Sequence, residues 1–336
     1  MKLVQTLVVR DEVDVVGSQI AYHLSAGVDF VLAADHESRD GTTEVLESFA
    51  RDGHLLRIPV RGEMREQVWR TDMARRAANE HGADWVINTD ADEFWVPRGP
   101  TLKESLAAVP AHVGLVWGLS RPFVPRPDDG ELFAERMTYR LASPTAINDP
   151  TSPYRPHAKV AHRADPDIVI RFGAHLAYSK HAALYDWFVA DVLHFPYRRR
   201  EQYERKASRR VQDKPLGQYM RADRARAGGR VEEVYGSLVV DDRGLERGLG
   251  AGCLVVDERL RDALRSGSGV QQPSPRDASV VAEEAGLRDA DLVRAFRRVD
   301  GLGARVAELE RRVWARPGRR GSGPNGPRES VGAATP

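Results

Sequence analysis

Trp85-Val86-Ile87-Asn88-Thr89-Asp90-Ala91-Asp92-Glu93-Phe94-Trp95 begins as an apolar run of strand type and breaks into three carboxylates within four residues. Asp90 and Asp92 stand at i and i+2. In extended backbone that spacing sends both side chains to one face. Neighbouring carboxylates repel and raise one another's pKa unless a cation lies between them. Hard divalent ions take oxygen ligands, often one or two carboxylates plus substrate phosphates. The plainer alternative is a solvated acidic turn, because strands often end in Asp. Trp85, Phe94 and Trp95 count against it, since a solvated turn has no need of large aromatics directly beside its charges.

Upstream of this stretch, strand and helix patterns alternate. Leu3–Val9 reads as a buried strand and residues 15–26 as a helix with Val16, Ile20 and Leu24 on one face. Residues 28–34 form a second strand ending at Asp35, Thr42–Arg51 a helix, Leu55–Val60 a third strand, 64–81 a helix, and 85–89 the fourth strand. This order predicts an α/β fold with a doubly wound, mostly parallel sheet. Ligands of such sheets bind at the carboxyl ends of the strands. Those ends carry Asp11 and Glu12, Asp35, then Asp90 and Asp92. Acids there suit ribose hydroxyls, base edges and a metal rather than bare phosphate. Neither G-x-G-x-x-G after the first strand nor a G-x-x-x-x-G-K-[ST] loop occurs, which argues against a dinucleotide site and a P-loop.

Downstream the pattern loosens. Thr101 is placed to cap a helix carrying Leu102 and Leu106, residues 113–119 read as a strand, and 121–130 as a surface loop. Residues 168–172 and 174–178 suggest a hairpin about Gly173; 192–195 are a short strand stopped by Pro196, and 198–210 a strongly charged helix. The expected organisation is a domain over 1–215, with a nucleotide-like site in the half at 1–100 and an acceptor side in the half at 101–215, then an α/β extension at 216–265. A Gly/Ser/Pro-rich linker at 266–279, an amphipathic helix at 280–315 and a disordered tail at 316–336 follow. That late helix either packs on the body or pairs with a second copy to make a homodimer.

The 336 residues carry Lys+Arg 50 against Asp+Glu 49, for a formal charge of +1. Such balance argues against a nucleic-acid binder, which shows a basic excess. One cysteine, Cys253, leaves no intramolecular disulfide or Cys-based zinc site, and points to a reducing cytoplasm. No run approaches the ~20 apolar residues of a membrane helix, and peripheral contact at the inner membrane face stays open.

Three motifs taken together carry a resemblance. Val8-Val9-Arg10-Asp11-Glu12, Asp35-His36-Glu37-Ser38-Arg39-Asp40-Gly41-Thr42 and Asp90-Ala91-Asp92-Glu93-Phe94 resemble a family 2 glycosyltransferase of the GT-A fold, in the branch with a D-x-D-E-F motif. His36 and Glu37 stand where that family usually carries Asn. The resemblance runs from about Leu3 to Val211. It implies a nucleoside-diphosphate sugar donor, an acceptor hydroxyl, a Mn²⁺ or Mg²⁺ cofactor, and for most members inversion at the anomeric carbon.

Carried over by residue, it places Arg10, Glu12 and Asp35 about the base and ribose, and Arg70 near the donor. Asp90 then meets ribose or metal, Asp92 the metal, and His194 of His194-Phe195-Pro196-Tyr197-Arg198 the metal or diphosphate. A general base facing the acceptor is sought among Asp149, Asp186 and Asp191, with Asp191 marginally preferred. The histidines His157, His162, His175 and His181 read as structural or acceptor contacts, His175 being the first of these to test. Arg198–Arg200 with Arg205, Lys206, Arg209 and Arg210 read as a solvated helix face, or else as a phosphate site for a lipid-linked acceptor. Trp117, Trp187 and Phe188 read as core, or as sugar-stacking platforms. Glycan, lipid carrier, protein and small-molecule acceptors are equally open. Two other functions are consistent with the residues: a nucleotidyltransferase, which expects a Gly-rich loop after the first strand, and a non-catalytic scaffold assembling partners through the late helix.

Overall fold

The computed structural model describes residues 1–142, 158–179, 183–208 and 226–267; the side chains of 172, 183–187 and 207–208 are not among them. All the described residues fall in one compact unit. The strands are β1 (Leu3–Val9), β2 (Phe30–His36), β3 (Leu55–Val60), β4 (Trp85–Asp90), β5 (Glu93–Pro97), β6 (Val113–Pro122), β7 (Tyr139–Leu141), β8 (Ala158–Arg163), β9 (Val169–Ile170), β10 (Ala177–Tyr178), β11 (Ala183–His194) and β12 (Leu254–Val256). The helices are α1 (Val16–Ser25), α2 (Thr42–Arg51), α3 (Glu66–Asn79), α4 (Leu102–Ala107), α5 (Phe133–Arg136), α6 (Arg200–Ser208), α7 (Val231–Gly236), α8 (Asp242–Gly250) and α9 (Arg259–Ser266).

Eight strands make the main sheet in the order β3-β2-β1-β4-β8-β6-β11-β5. The first four are parallel neighbours, as the alternating pattern requires. β8 enters antiparallel between β4 and β6, β11 runs parallel to β6, and β5 closes the far edge antiparallel to β11. The period-two alternation of side chains explains the layers. Leu3 and Leu7 on β1 pack with Val16 and Ile20 of α1 and Leu46 of α2. Val4, one residue on, packs with Met73 and Ala77 of α3 on the other face. Both faces of the parallel half are thus covered, which is why its strands read as nearly continuous apolar runs.

The register sets the site. Val9 on β1 pairs with Asp35 on β2, and Val8 pairs with Asp90 on β4. Asp35 and Asp90 therefore flank β1 at its carboxyl end, about two strand spacings or ~10 Å apart. Local sequence then fixes the turn after β1. Gly41 adopts φ 100°, a left-handed conformation that suits glycine, and lets Asp40 accept from the Thr42 amide at 3.1 Å. Thr42 Oγ1 in turn accepts from the Glu12 amide at 2.9 Å. The Asp40-Gly41-Thr42 motif thus seats Glu12 at the rim as well as starting α2.

Several expectations change in the second half. The strand read at 113–119 runs to Pro122, so Arg121, expected in a surface loop, is buried in the sheet. The short strand at 192–195 is the end of twelve-residue β11, hidden in sequence because charged residues interrupt its apolar pattern. β9 and β10 form the expected hairpin, with Gly173 at φ 60° between them. The 216–265 segment pairs back: β12 runs antiparallel to β7, and Asp257 and Arg259 reach buried partners in the first 200 residues. Trp117 and Phe188 are core; the Trp187 side chain lies outside the described residues. So do Asp149, His157, His181, the rest of the linker from residue 268, the 280–315 helix and the 316–336 tail.

Candidate donor site at the sheet rim

β4 ends at Asp90 and β5 begins at Glu93, so Ala91 and Asp92 form a turn between them. The i, i+2 argument assumed extended backbone and does not hold here. The turn aims the two aspartates at different partners. Asp90 meets the Arg70 guanidinium through Oδ1 and the Lys159 ammonium through Oδ2 at 2.6 Å. Arg70 is fully buried on α3, also donating to the Thr89 carbonyl at 2.8 Å and to Glu66 at 3.0 Å. Lys159 also meets Glu93 Oε1 at 2.9 Å, while Glu93 Oε2 accepts from the Asp90 amide at 3.0 Å. Burial, with Asp90 and Asp92 nearby, outweighs the Lys159 charge and pushes Glu93 up to about 7.

Asp92 forms the second cluster. Its Oδ2 meets the Lys206 ammonium at 2.5 Å and Arg198 Nη1 at 3.8 Å; its Oδ1 lies 3.6 Å from His194 Nε2. Burial would raise its pKa, but Lys206, His194 and Arg198 together hold the carboxyl down at about 2. Arg198 is fully buried; it donates to Glu12, to both oxygens of Asp14 at 2.7 and 2.9 Å, and to the Phe195 carbonyl at 3.0 Å. Glu12 also lies 3.6 Å from Lys206. Glu12, Asp92, His194, Arg198 and Lys206 therefore meet at one place, although up to 194 residues of chain separate them.

The β2 side of the rim holds Asp35 and Arg10. Asp35 accepts from Thr43 Oγ1 at 2.7 Å, Arg57 at 3.2 Å and the Ser38 amide at 3.3 Å. Arg10 Nη1 lies 3.4 Å from His36 Nδ1, and the His36 and Trp69 rings lie 4.8 Å apart. His36, where the resembling family carries Asn, thus sits between Arg10 and Trp69, while Asp35, one residue earlier on β2, takes its partners from α2 and β3 on the other face.

Asp191 does not face this cluster. It stands three residues before His194, an odd spacing that puts the two side chains on opposite faces of β11. It is 1% exposed and bound by Arg121 at 3.1 Å, Arg259 at 3.2 Å and Arg98 at 3.4 Å. Burial opposes its charge, but those guanidiniums hold it well below the usual carboxylate range. Such a carboxylate cannot readily take a proton, and its sequence assignment as general base has no support in this geometry.

The charged helix also splits differently from the sequence expectation. Arg200 faces Glu201, Glu204 and Glu232 on the surface, as a solvated face should. Arg198 and Lys206 instead serve the rim. The available signal was spacing: Gln202 and Lys206 lie four apart, hence on one helix face. Gln202 ties to the Arg198 amide and the Pro196 carbonyl at 3.1 Å each. Lys159 carried no motif and was missed. His162 is buried in β8, and His175 bonds the Ala158 carbonyl at 2.8 Å; neither reaches Asp92 through a described contact.

The fit of a divalent ion depends on the donor set. Asp92 Oδ1 and His194 Nε2, 3.6 Å apart, could both bind one ion at roughly 2.1 Å. Burial lowers His194 to about 4, so at neutral pH its imidazole is uncharged, the state in which a histidine ligates a metal. Among the described residues no group of three or more His, Cys, Asp or Glu side chains converges as a cation cage. Asp90, turned to Arg70 and Lys159, is not a third donor. The residues present suit an ion held by Asp92 and His194, with substrate oxygens and water completing its shell.

In sequence, a model of glycosyltransferase family 92 matches residues 4–113, from β1 to the start of β6. This stretch holds Glu12, Asp35, Arg70, Asp90 and Asp92, and the match, over about a third of the chain, supports glycosyltransferase activity. The motifs resemble family 2; the matching model is that of family 92. No curated protein matches the chain in sequence. Among solved structures, a mycobacterial protein is 22% identical over 40% of this chain and 44% of its own, with a TM-score of 0.25. The chain thus spans less than half of that protein. Staphylococcus aureus TarS 1–349 in complex with UDP is 12% identical over 80% of this chain and 92% of its own, with a TM-score of 0.34. The complex of TarS 1–349 with UDP-GlcNAc is 11% identical over 80% and 88%, with a TM-score of 0.35. The fold is a mixed α/β arrangement around one mostly parallel main sheet. No described helix is long and apolar enough to cross a membrane.

Proposed function

We propose that this chain transfers a sugar from a nucleoside-diphosphate sugar to an acceptor hydroxyl, in a family 2-like, inverting reaction dependent on Mn²⁺ or Mg²⁺. The observation that carries this reading is the Asp92 cluster at the carboxyl end of the parallel strands, where a carboxylate, a neutral imidazole, an ammonium and a guanidinium meet. Arg10, Asp35, His36 and Trp69 receive the base and ribose. Arg70 and Lys159 hold Asp90 at the centre of the rim, next to the ribose and diphosphate.

Sugar transfer breaks the bond between the anomeric carbon and a diphosphate oxygen, and negative charge grows on the leaving diphosphate. Asp92 and His194 would hold the divalent ion, which when bound supplies Lewis-acid stabilisation of that charge. Lys206 adds a positive charge at the same end of the site, and Arg198 keeps Asp92 ionised and in place. The acceptor hydroxyl loses its proton to a base on the opposite face of the sugar. With Asp191 locked by arginines, Asp149 and Asp186 are the candidates left from the sequence. A cytoplasmic enzyme, with its single exposed Cys253 reduced, completes the proposal.

Thermal-shift screening with UDP, GDP and dTDP, each with and without Mn²⁺, tests this reading. Stabilisation by one diphosphate, strongest with the metal, is expected. With UTP, GTP and dTTP added to the screen, a shift only with triphosphates would indicate a nucleotidyltransferase, and no shift in any condition would indicate a scaffold.

A further inference from the structure

Asp92 is already occupied by cations of its own chain, and they differ in how firmly they are held. Arg198 is fully buried and bound to Glu12, Asp14 and the Phe195 carbonyl, with its amide tied to Gln202. It has no freedom to leave. Lys206 is different. Its side chain is 21% exposed, it sits near the end of α6, and its ammonium rests on Asp92 Oδ2 at 2.5 Å and the Pro196 carbonyl at 3.2 Å. A lysine is a point charge on a flexible four-carbon stem, able to swing without losing a fixed fork of bonds.

We propose that Lys206 is a resident counter-cation that holds Asp92 while the site is empty and gives it up to the divalent ion when the donor binds, its ammonium moving to a diphosphate oxygen. This inference rests on the donor-site reading above and goes further, because it makes metal and donor binding depend on one another. A divalent ion and an ammonium on the same carboxylate repel with twice the energy of two single charges. With no donor present the ion must displace Lys206, which has nowhere better to go. The diphosphate changes this by bringing enough negative charge for both cations. Metal alone therefore binds weakly, and metal with nucleoside diphosphate binds cooperatively. Glu12, 3.6 Å from Lys206, favours the resting position and deepens the cooperativity.

The test measures Mn²⁺ affinity alone, by isothermal titration calorimetry or by electron paramagnetic resonance of free Mn²⁺, in the wild-type chain of 336 residues, Lys206→Met and Lys206→Gln. It then measures affinity for the nucleoside diphosphate that best stabilises wild type, at saturating Mn²⁺. Removing the ammonium is expected to tighten Mn²⁺ alone at least tenfold and to weaken the diphosphate at least tenfold. Lys206→Arg keeps the competing charge, so its Mn²⁺ affinity stays within about threefold of wild type, and it serves as the folded control. Unchanged Mn²⁺ affinity in both neutral variants, with the diphosphate still bound by wild type, overturns the exchange and leaves the glycosyltransferase reading standing. Absence of any diphosphate binding by wild type overturns both.

Discussion

Replacing Asp92 by Asn sets two physical effects against each other. Glu12, Asp14, Asp90, Asp92 and Glu93 crowd one rim, and removing one of several like charges relieves repulsion, so the variant could be more stable than wild type. The structure says that the cations win. Asp92 is held at about 2, against an ordinary 3.8. That lowering of nearly two units corresponds to about 2–3 kcal/mol of folding stability at neutral pH, at ~1.4 kcal/mol per unit. Because the folded-state value is the lower one, this stability is fully present above pH 4 and is lost as pH falls through about 2. Asn keeps the volume and one acceptor for Lys206 but no charge, so most of the stability disappears. Urea denaturation at pH 7, followed by tryptophan fluorescence, is expected to show a loss of about 2 kcal/mol, and Mn²⁺-dependent diphosphate binding to weaken about a hundredfold or more. An Asp92→Asn protein as stable as wild type, or more so, would refute the charge balance drawn here.

Other outcomes follow from the same geometry. His23 Nδ1 bonds the Gln19 carbonyl at 2.8 Å while Nε2 accepts from the Trp95 amide at 3.1 Å; this fixes the neutral form, and burial lowers His23 to about 4. The unfolded chain takes up protons first as pH falls below 6.5, so stability drops towards pH 4, by about 2 kcal/mol for His23 alone at pH 5. Urea curves at pH 7 and pH 5 check this, and His23→Gln should reduce the difference by about 2 kcal/mol, leaving shares such as that of His194, which burial also lowers to about 4. Lys159→Met leaves Asp90 and Glu93 facing one another in a buried site and should cost about 3 kcal/mol; adding Glu93→Gln should restore part of it, giving a clear coupling in a double-mutant cycle. Asp191→Asn should lower stability by about 3 kcal/mol through the orphaned arginines, yet leave kcat within a few-fold at temperatures where the variant is folded; a collapse of kcat would return Asp191 to catalysis.

The parallel half was legible in sequence because β1, β2 and β4 are buried on both faces and lead into an acid at their carboxyl ends, whereas the edge strand β3 is only partly buried and ends in Val60. Apolar runs broken by Asp11, Asp35 and Asp90 mark the rim directly. What the pattern could not show was pairing between distant segments. β8 enters the sheet beside β4 from some seventy residues further on, and brings Lys159 with it. Nothing near Lys159 in sequence announces a partner for Asp90. Periodicity failed at Asp90 and Asp92 for a local reason, a turn where a strand was assumed. It failed at Asp191 because β11 was read as four residues rather than twelve, which hid the face each residue takes. Lys206 looked like one more charge on a solvated helix, and only the fold of Pro196-Tyr197-Arg198 turns it inward.

Arg198 closes onto Glu12 across 186 residues of chain. During synthesis, the acidic rim built by the first half emerges from the ribosome long before the guanidinium and ammonium that neutralise it. A nascent chain that has reached residue 113 displays Glu12, Asp14, Asp90 and Asp92 without Lys159, Arg198 or Lys206. The rim is completed only when the second half has been translated, and an expression fragment cut near residue 113 carries the motifs with Arg70 alone of the cations that hold Asp90 and Asp92.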